Sequence, residues 1–178
     1  MALSATIFKA DLNIADVDRN YYADHRLTIA RHPSETDERM MVRLLAFACH
    51  ADEQLQFTRG LSSDEDEPDL WLKDLTGTIE LWIDVGLPDP KRVRKACGRA
   101  QRVVIYVYGR GADMWWQRNQ QELSRQDNLT VISWDKESTD ALAAMANRAM
   151  RLQCTVQDQQ MLLTSDSTSL QISSTIWQ

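Results

Sequence analysis

Between Leu70 and Val85 two β-rich runs meet at Thr76-Gly77, and the side chains along them leave few ways to fold. An even-numbered loop there sets Leu75 opposite Thr78, Lys73 opposite Glu80, Trp71 opposite Trp82 and Asp69 opposite Asp84. The other face then pairs Leu72 with Leu81 and Leu70 with Ile83, and is apolar throughout. A three-residue loop with a bulge at Gly77 is the rival, because threonine resists the positive φ of a two-residue turn. That loop shifts the pairing by one and sets apolar residues opposite polar ones on both strands. Register follows the hydrophobic pattern where one face is buried, which selects the even loop.

The selected register has an electrostatic consequence at Asp69 and Asp84. Like charges directly opposite on a sheet destabilise it. Either one carboxylate takes up a proton or a cation sits between them. Hard oxygen ligands on a firm scaffold suit Mg²⁺ or Mn²⁺, and such an ion can orient water and stabilise charge on a phosphate. The competing reading is two solvated carboxylates near strand ends, Asp69 merely closing an acidic loop.

The remaining chain reads as alternating elements. Thr6 to Ile14 and Tyr21 to Ala30 have partial strand alternation around Asp16-Val-Asp18-Arg. Pro33-Ser34 opens a helix, with Ser34 as cap, Asp37 in the capping-box position and Met41, Leu44, Leu45 and Ala48 at helical spacing to about Ala51. Gln54 to Thr58, Leu70 to Asp74 and Ile79 to Val85 read as strands, with an acidic loop from Arg59 to Glu67. Asp89-Pro90 starts a second helix, with aspartate as cap and proline at the first helical position. Val103 to Tyr108 reads as a buried strand, Asp113 to Arg125 as a helix, Leu129 to Trp134 as a strand and Thr139 to Met150 as a helix. Short strands follow to Ile176, with turns at Asp158-Gln159 and Asp166-Ser167. This order predicts one α/β domain over residues 1–178, a mixed β-sheet flanked by helices.

Composition narrows the function. The 178 residues include 43 % hydrophobic ones, enough for a core, and carry a net charge of −6. That balance speaks against a general nucleic-acid coat, which needs clustered cations. The charges are segregated, however: Asp64, Glu65, Asp66, Glu67 and Asp69 precede Lys91, Arg92, Arg94, Lys95, Arg99 and Arg102. Arg92, Lys95 and Arg99 share one helix face directly after the Asp84 strand, where they could reach phosphate; a plain solvated face is the alternative. Glu35 and Glu38 complement the dipole at the start of the first helix. Cys49, Cys97 and Cys154 sit among apolar neighbours and read as buried, reduced thiols. No apolar run approaches the ~20 residues of a membrane span, and the N-terminus lacks the features of a signal peptide. The expected location is the cytoplasm.

Long strings carry a resemblance. Ala30-Arg-His-Pro-Ser-Glu-Thr-Asp-Glu-Arg-Met-Met, Phe57-Thr-Arg-Gly-Leu, Glu67-Pro-Asp-Leu-Trp, Thr76-Gly-Thr-Ile-Glu-Leu-Trp-Ile-Asp-Val-Gly-Leu-Pro and Lys91-Arg-Val-Arg-Lys-Ala-Cys-Gly-Arg-Ala resemble the YaeQ family of bacterial proteins, over essentially the whole chain. The resemblance implies a variant of the PD-(D/E)xK restriction-endonuclease-like fold, with its helix–three strands–helix–strand core at about residues 34–108 and added strands and helices. Pro68-Asp69 is then similar to the PD element, Asp84 to the following acid, and Glu38 or Glu35 to the glutamate on the first core helix. Gly86 stands where that motif has lysine. Lys95 is the candidate to replace it, with Arg92 and Lys91 behind it.

The function these features imply is Mg²⁺- or Mn²⁺-dependent phosphodiester hydrolysis of DNA or RNA. Asp69 and Asp84 would hold the metal, Glu38, Glu35 or Glu80 would assist, Lys95 would act at the phosphate, and Arg92, Lys91 and Arg99 would bind the nucleic acid. The alternative is a non-catalytic nucleic-acid or protein binding module associated with transcription or repair. The position of the Lys95 amine discriminates the two: close to the carboxylates for an enzyme, turned to solvent for a module.

Overall fold

A computed structural model describes residues 4–58 and 66–178. Its strands form two sheets where the sequence predicts one, and the chain divides into two compact units: Met1–Leu44 with Glu137–Ser173, and Leu45–Lys136 with Ser174–Gln178.

The first unit is built on a long hairpin. β1 (Thr6–Asp16) and β2 (Tyr21–Arg31) are antiparallel, and β8 (Ala149–Gln157) lies parallel to β1 on its other side. β9 (Gln160–Thr164) and β10 (Ser169–Ile172) complete the order β10-β9-β8-β1-β2. Alternate residues Phe8, Ala10, Leu12 and Ile14 are buried while their neighbours face outward, the period of a half-buried strand. The turn at Asp158-Gln159 forms as expected. Both residues have positive φ, and the Asp18 carboxylate accepts both of their backbone N–H groups.

The second unit holds the six-stranded sheet β11-β7-β6-β5-β4-β3. Its strands are β3 (Leu55–Phe57), β4 (Leu70–Lys73), β5 (Ile79–Val85), β6 (Ala100–Val107), β7 (Leu129–Trp134) and β11 (Ser174–Ile176). β5, β6 and β7 are parallel; β3, β4 and β11 join antiparallel. Helices α2 (Pro90–Cys97) and α3 (Ala112–Leu123) bury Val93, Ala96, Ala112 and Leu123 in one core with Trp82, Val103, Ile105, Val107 and Val131. Each large apolar side chain so removed from water contributes about 1.5–3 kcal/mol.

The central hairpin combines the two loop readings. Leu70, Trp71 and Leu72 pair with Ile83, Trp82 and Leu81, as the apolar face requires. At the loop, Lys73 pairs with Ile79 and not with Glu80, through a bulge between Leu72 and Lys73. The cause is local. Gly77 has a φ of 87°, and the Asp74 carboxylate accepts the N–H groups of Thr76 and Thr78, which closes an odd-numbered turn. The bulge absorbs the extra residue and returns the strands to the register that buries their apolar face. The Lys73 ammonium therefore lies over the Trp71 ring, 3.4 Å from its centroid, instead of pairing with Glu80.

Two helices differ from the sequence reading. In α1 (Asp37–His50) the cap is Thr36, whose hydroxyl accepts the Arg39 N–H; Ser34 bonds to His32. The fourth helix, α4 (Lys136–Ala144), stops short of Met150, and Ala149 onward is strand β8. Pairing along β1 outweighs the helix propensity of Ala149 and Met150. Most of the expected acidic loop lies outside the described residues, Asp66 and Glu67 excepted. Cys97 and Cys154 are buried, and all three cysteines are free of disulfides. Among the described residues no helix is long and apolar enough to cross a membrane.

Candidate functional site

The site grows from the junction of β5 and α2. Strand alternation puts Trp82 and Asp84 on one face of β5, where the indole N–H donates to Asp84 Oδ2 at 3.1 Å. Asp89 then caps α2 by accepting the Lys91 N–H at 2.8 Å, and Pro90 fixes the first helical φ. This cap sets Arg92 in the first turn, looking back at the strand end. Its guanidinium grips Asp84 with both prongs: Nε to Oδ2 at 2.9 Å and Nη2 to Oδ1 at 3.0 Å. Asp84 is 2 % exposed. A carboxylate so far from water needs a counter-charge, and a forked guanidinium supplies one with fixed geometry.

Asp69 does different work. The β4–β5 ladder ends at Leu70–Ile83, one step short of pairing Asp69 with Asp84. Asp69 Oδ2 accepts the Val85 N–H at 2.8 Å, and the Asp69 N–H donates to the Ile83 carbonyl at 3.0 Å. The side chain thus satisfies a backbone donor beyond the last ladder pair, which a buried N–H requires. Asp84 faces α2 with an arginine as its partner, while Asp69 serves the backbone of the same strand.

The other candidates have separate surroundings. Lys95 Nζ lies 2.9 Å from Asp66 Oδ1 and its side chain is 44 % exposed; Arg99 Nη1 reaches the same oxygen at 3.3 Å. The hydrogen bond and charge of Lys95, with Arg99 adding less, hold the Asp66 carboxyl below the usual carboxylate range. Lys91 is exposed. Glu35 and Glu38 belong to the first unit. Glu35 is tied to buried Arg43, with Nε to Oε1 and Nη2 to Oε2 both 2.7 Å, and Arg39 adds a third bond at 2.8 Å. Its role is therefore more than a dipole complement. Glu38 Oε1 is buried without a hydrogen-bond partner among the described residues. Glu80 is half-buried on β5.

Gly86 has a physical reason to replace lysine. Its φ is 106° while its N–H bonds to the Tyr106 carbonyl at 2.8 Å, a backbone that side-chain-bearing residues rarely adopt. A lysine there would be strained even though its Cβ meets no atom within 4 Å.

The arrangement does not fit a divalent ion while Arg92 is in place. The two guanidinium bonds and the indole bond take three of the roughly four lone-pair sites of Asp84. Among the described residues no group of three or more His, Cys, Asp or Glu side chains is placed to hold a metal. A cavity of about 520 Å³ does open in the first unit, lined by Asp11, Asn13, Asp24, Arg26, Arg151 and Gln153 among others, but it contains none of the candidate residues.

Sequence reasoning placed Arg92 among phosphate-binding residues and missed it as the partner of Asp84. The Asp89-Pro90 cap signals where α2 starts, but which of its residues meets Asp84 depends on how the helix is placed against β5. Arg43 was missed outright, since it lies within an otherwise apolar stripe.

These features define an α/β protein of two mixed sheets and, among the described residues, four helices, with a buried aspartate–arginine pair at a strand–helix junction. The family model described as YaeQ protein matches residues 1–174, and the chain belongs to the YaeQ family. It is 50 % identical over 179 residues to the uncharacterised protein YaeQ of Escherichia coli K12, covering 100 % of this chain and 98 % of that one. The crystal structure of a YaeQ protein from Xanthomonas axonopodis pv. citri superposes with a TM-score of 0.94 at 49 % identity, over 98 % of this chain and 99 % of that one. A second, from Pseudomonas syringae, gives 0.93 at 34 % identity over 98 % and 96 %.

Proposed function

We propose that this chain is a non-catalytic nucleic-acid-binding module on a PD-(D/E)xK-like core, in which Arg92 holds the place that a divalent cation takes in an active nuclease of that fold. The bidentate Arg92–Asp84 pair carries this reading. Support for the core comes from the element order α1, β3, β4, β5, α2, β6, which is helix, three strands, helix, strand. Two further observations weigh against catalysis. The motif lysine is a glycine whose φ of 106° would strain any side-chain-bearing residue, and the Lys95 amine is exposed and bound to Asp66. Hydrolysis with Mg²⁺ or Mn²⁺ would require Arg92 to leave Asp84 first. What remains on α2, in the turn after it and at the start of β6 is a set of exposed cations, Lys91, Arg94, Lys95, Arg99 and Arg102, suited to the phosphate backbone.

The test is binding and cleavage in one assay. Fluorescein-labelled single-stranded DNA, duplex DNA and single-stranded RNA are titrated with protein, with and without Mn²⁺, and followed by anisotropy and by gel. The expected result is salt-dependent binding, no cleavage and no dependence on Mn²⁺. Metal-dependent cleavage that disappears in Asp84→Ala would establish the nuclease instead. Failure to bind any probe at low salt would overturn nucleic acid as the ligand.

A further inference from the structure

The segregated charges of the sequence meet in the fold. Arg92, Lys95 and Arg99 project from one face of α2 and the residues just after it, and all three reach the two consecutive residues Asp66 and Glu67. Arg92 Nη2 donates to the Glu67 carbonyl at 2.8 Å. Lys95 Nζ lies 2.9 Å from Asp66 Oδ1. Arg99 Nη1 reaches the Asp66 carbonyl at 3.1 Å and its carboxylate at 3.3 Å. Beneath them the Trp82 ring carries the guanidinium carbons of Arg92 and Arg99, 6.0 and 5.4 Å from its centroid. The basic face of α2 is thus assembled on an aromatic base and held by Asp66 and Glu67.

The contacts differ in how easily they yield. The Arg92 pair is buried, with side-chain exposures of 13 % and 2 %. The Asp66 side chain is 70 % exposed, and its partners Lys95 and Arg99 are 44 % and 38 % exposed. Ion pairs this open to water contribute little to folding. An anion of comparable geometry can displace Asp66 at small cost, and a phosphodiester presents the same kind of acceptor oxygens to a lysine and an arginine as a carboxylate does.

Building on the nucleic-acid reading above, we infer that Lys95 and Arg99 form a phosphate site for a nucleic-acid backbone and that Asp66 is its intramolecular stand-in. Nucleic acid binds by displacing the Asp66 carboxylate, so Asp66 lowers the apparent affinity by the fraction of time it occupies the site. The acidic residue beside the basic helix acts as a competitor, which reconciles the net charge of −6 with a phosphate-binding face.

The experiment compares wild type with Asp66→Asn, Lys95→Gln/Arg99→Gln, the triple variant, and Asp127→Asn. Asp127 is an exposed acid of the same unit and controls for the change in net charge. Anisotropy titrations use the labelled single-stranded DNA, duplex DNA and RNA across a range of NaCl. Asp66→Asn should bind about two- to fivefold more tightly than Asp127→Asn. Lys95→Gln/Arg99→Gln should weaken binding and flatten the salt slope by about 0.7–0.9 for each phosphate that is no longer neutralised. In the triple variant the Asp66→Asn gain should vanish. A gain no larger than that of Asp127→Asn, or one that persists in the triple variant, overturns the inference while leaving the binding module intact. No binding by any variant at low salt overturns both.

Discussion

Asp84→Asn has a sign that separates two accounts of the buried acid. Had Asp69 and Asp84 faced each other as bare like charges, removing one would stabilise the protein by roughly 1 kcal/mol or less. The geometry demands the opposite. Asp84 is 2 % exposed and receives two bonds from Arg92 and one from the Trp82 indole. Asparagine keeps one acceptor oxygen, turns an NH₂ toward donors, and takes the aspartate counter-charge away from a guanidinium of 13 % exposure. Removing one partner of a buried pair costs about 3–5 kcal/mol, and the retained acceptor puts asparagine at the low end. At ~2–4 °C per kcal/mol for a chain of this size, the melting temperature should fall by about 6–12 °C. Urea unfolding followed by tryptophan fluorescence gives the same quantity, with an unchanged m-value as the check that only stability moved. Arg92→Gln should cost a comparable amount, and the double variant less than the sum of the two, because the second substitution removes a charge whose counter-charge is already gone. A melting temperature of Asp84→Asn equal to or above wild type would refute the argument.

The same logic applies to Arg43, 1 % exposed and held by Glu35 and the Ala30 carbonyl: Glu35→Gln should lose about 3 kcal/mol or more in urea unfolding, and a loss under about 1 kcal/mol would show the pair to be dispensable. Gly86→Lys should cost about 1–3 kcal/mol through its φ of 106° and yield no Mn²⁺-dependent cleavage; a stable, active variant would show the site to be one lysine short of a nuclease. Burial pushes the Cys97 thiol up to about 11, and burial with the nearby Asp16 charge pushes Cys154 up to about 12. A raised value means that the unfolded thiols ionise first. The stability they contribute is complete below the unfolded value near 9.0 and is lost as pH rises through the folded values. Alkaline unfolding of Cys97→Ala/Cys154→Ala should therefore be shallower than that of wild type, and labelling of either native thiol at neutral pH by a maleimide would contradict the burial.

Local pattern determined the elements with strong internal signals. β5 and β7 occupy the residues their β-rich runs predict, and α2 starts at the Asp89-Pro90 cap. The apolar face of the central hairpin set the pairing of Leu70 to Leu72, because a one-residue slip would have turned every side chain over. At Lys73 the same reasoning failed, since the Asp74 carboxylate and the positive φ of Gly77 closed a different turn. These preferences act over a few residues, so a sequence can record them.

Tertiary structure decided the partners. Nothing in the spacing of Asp84, Arg92, Lys95 and Asp66 says which cation takes which acid; only the placed strand end and helix allow Arg92 to reach Asp84 with both prongs and send Lys95 to Asp66. The division into two sheets is of the same kind. The expected helix ends at Ala144, and its last two residues, Ala149 and Met150, open β8 instead, because β1 offers backbone partners from Ala149 to Val156. Pairing between residues far apart in the chain outweighs propensities worth at most about 1 kcal/mol per residue, and that is why it cannot be read from either segment alone.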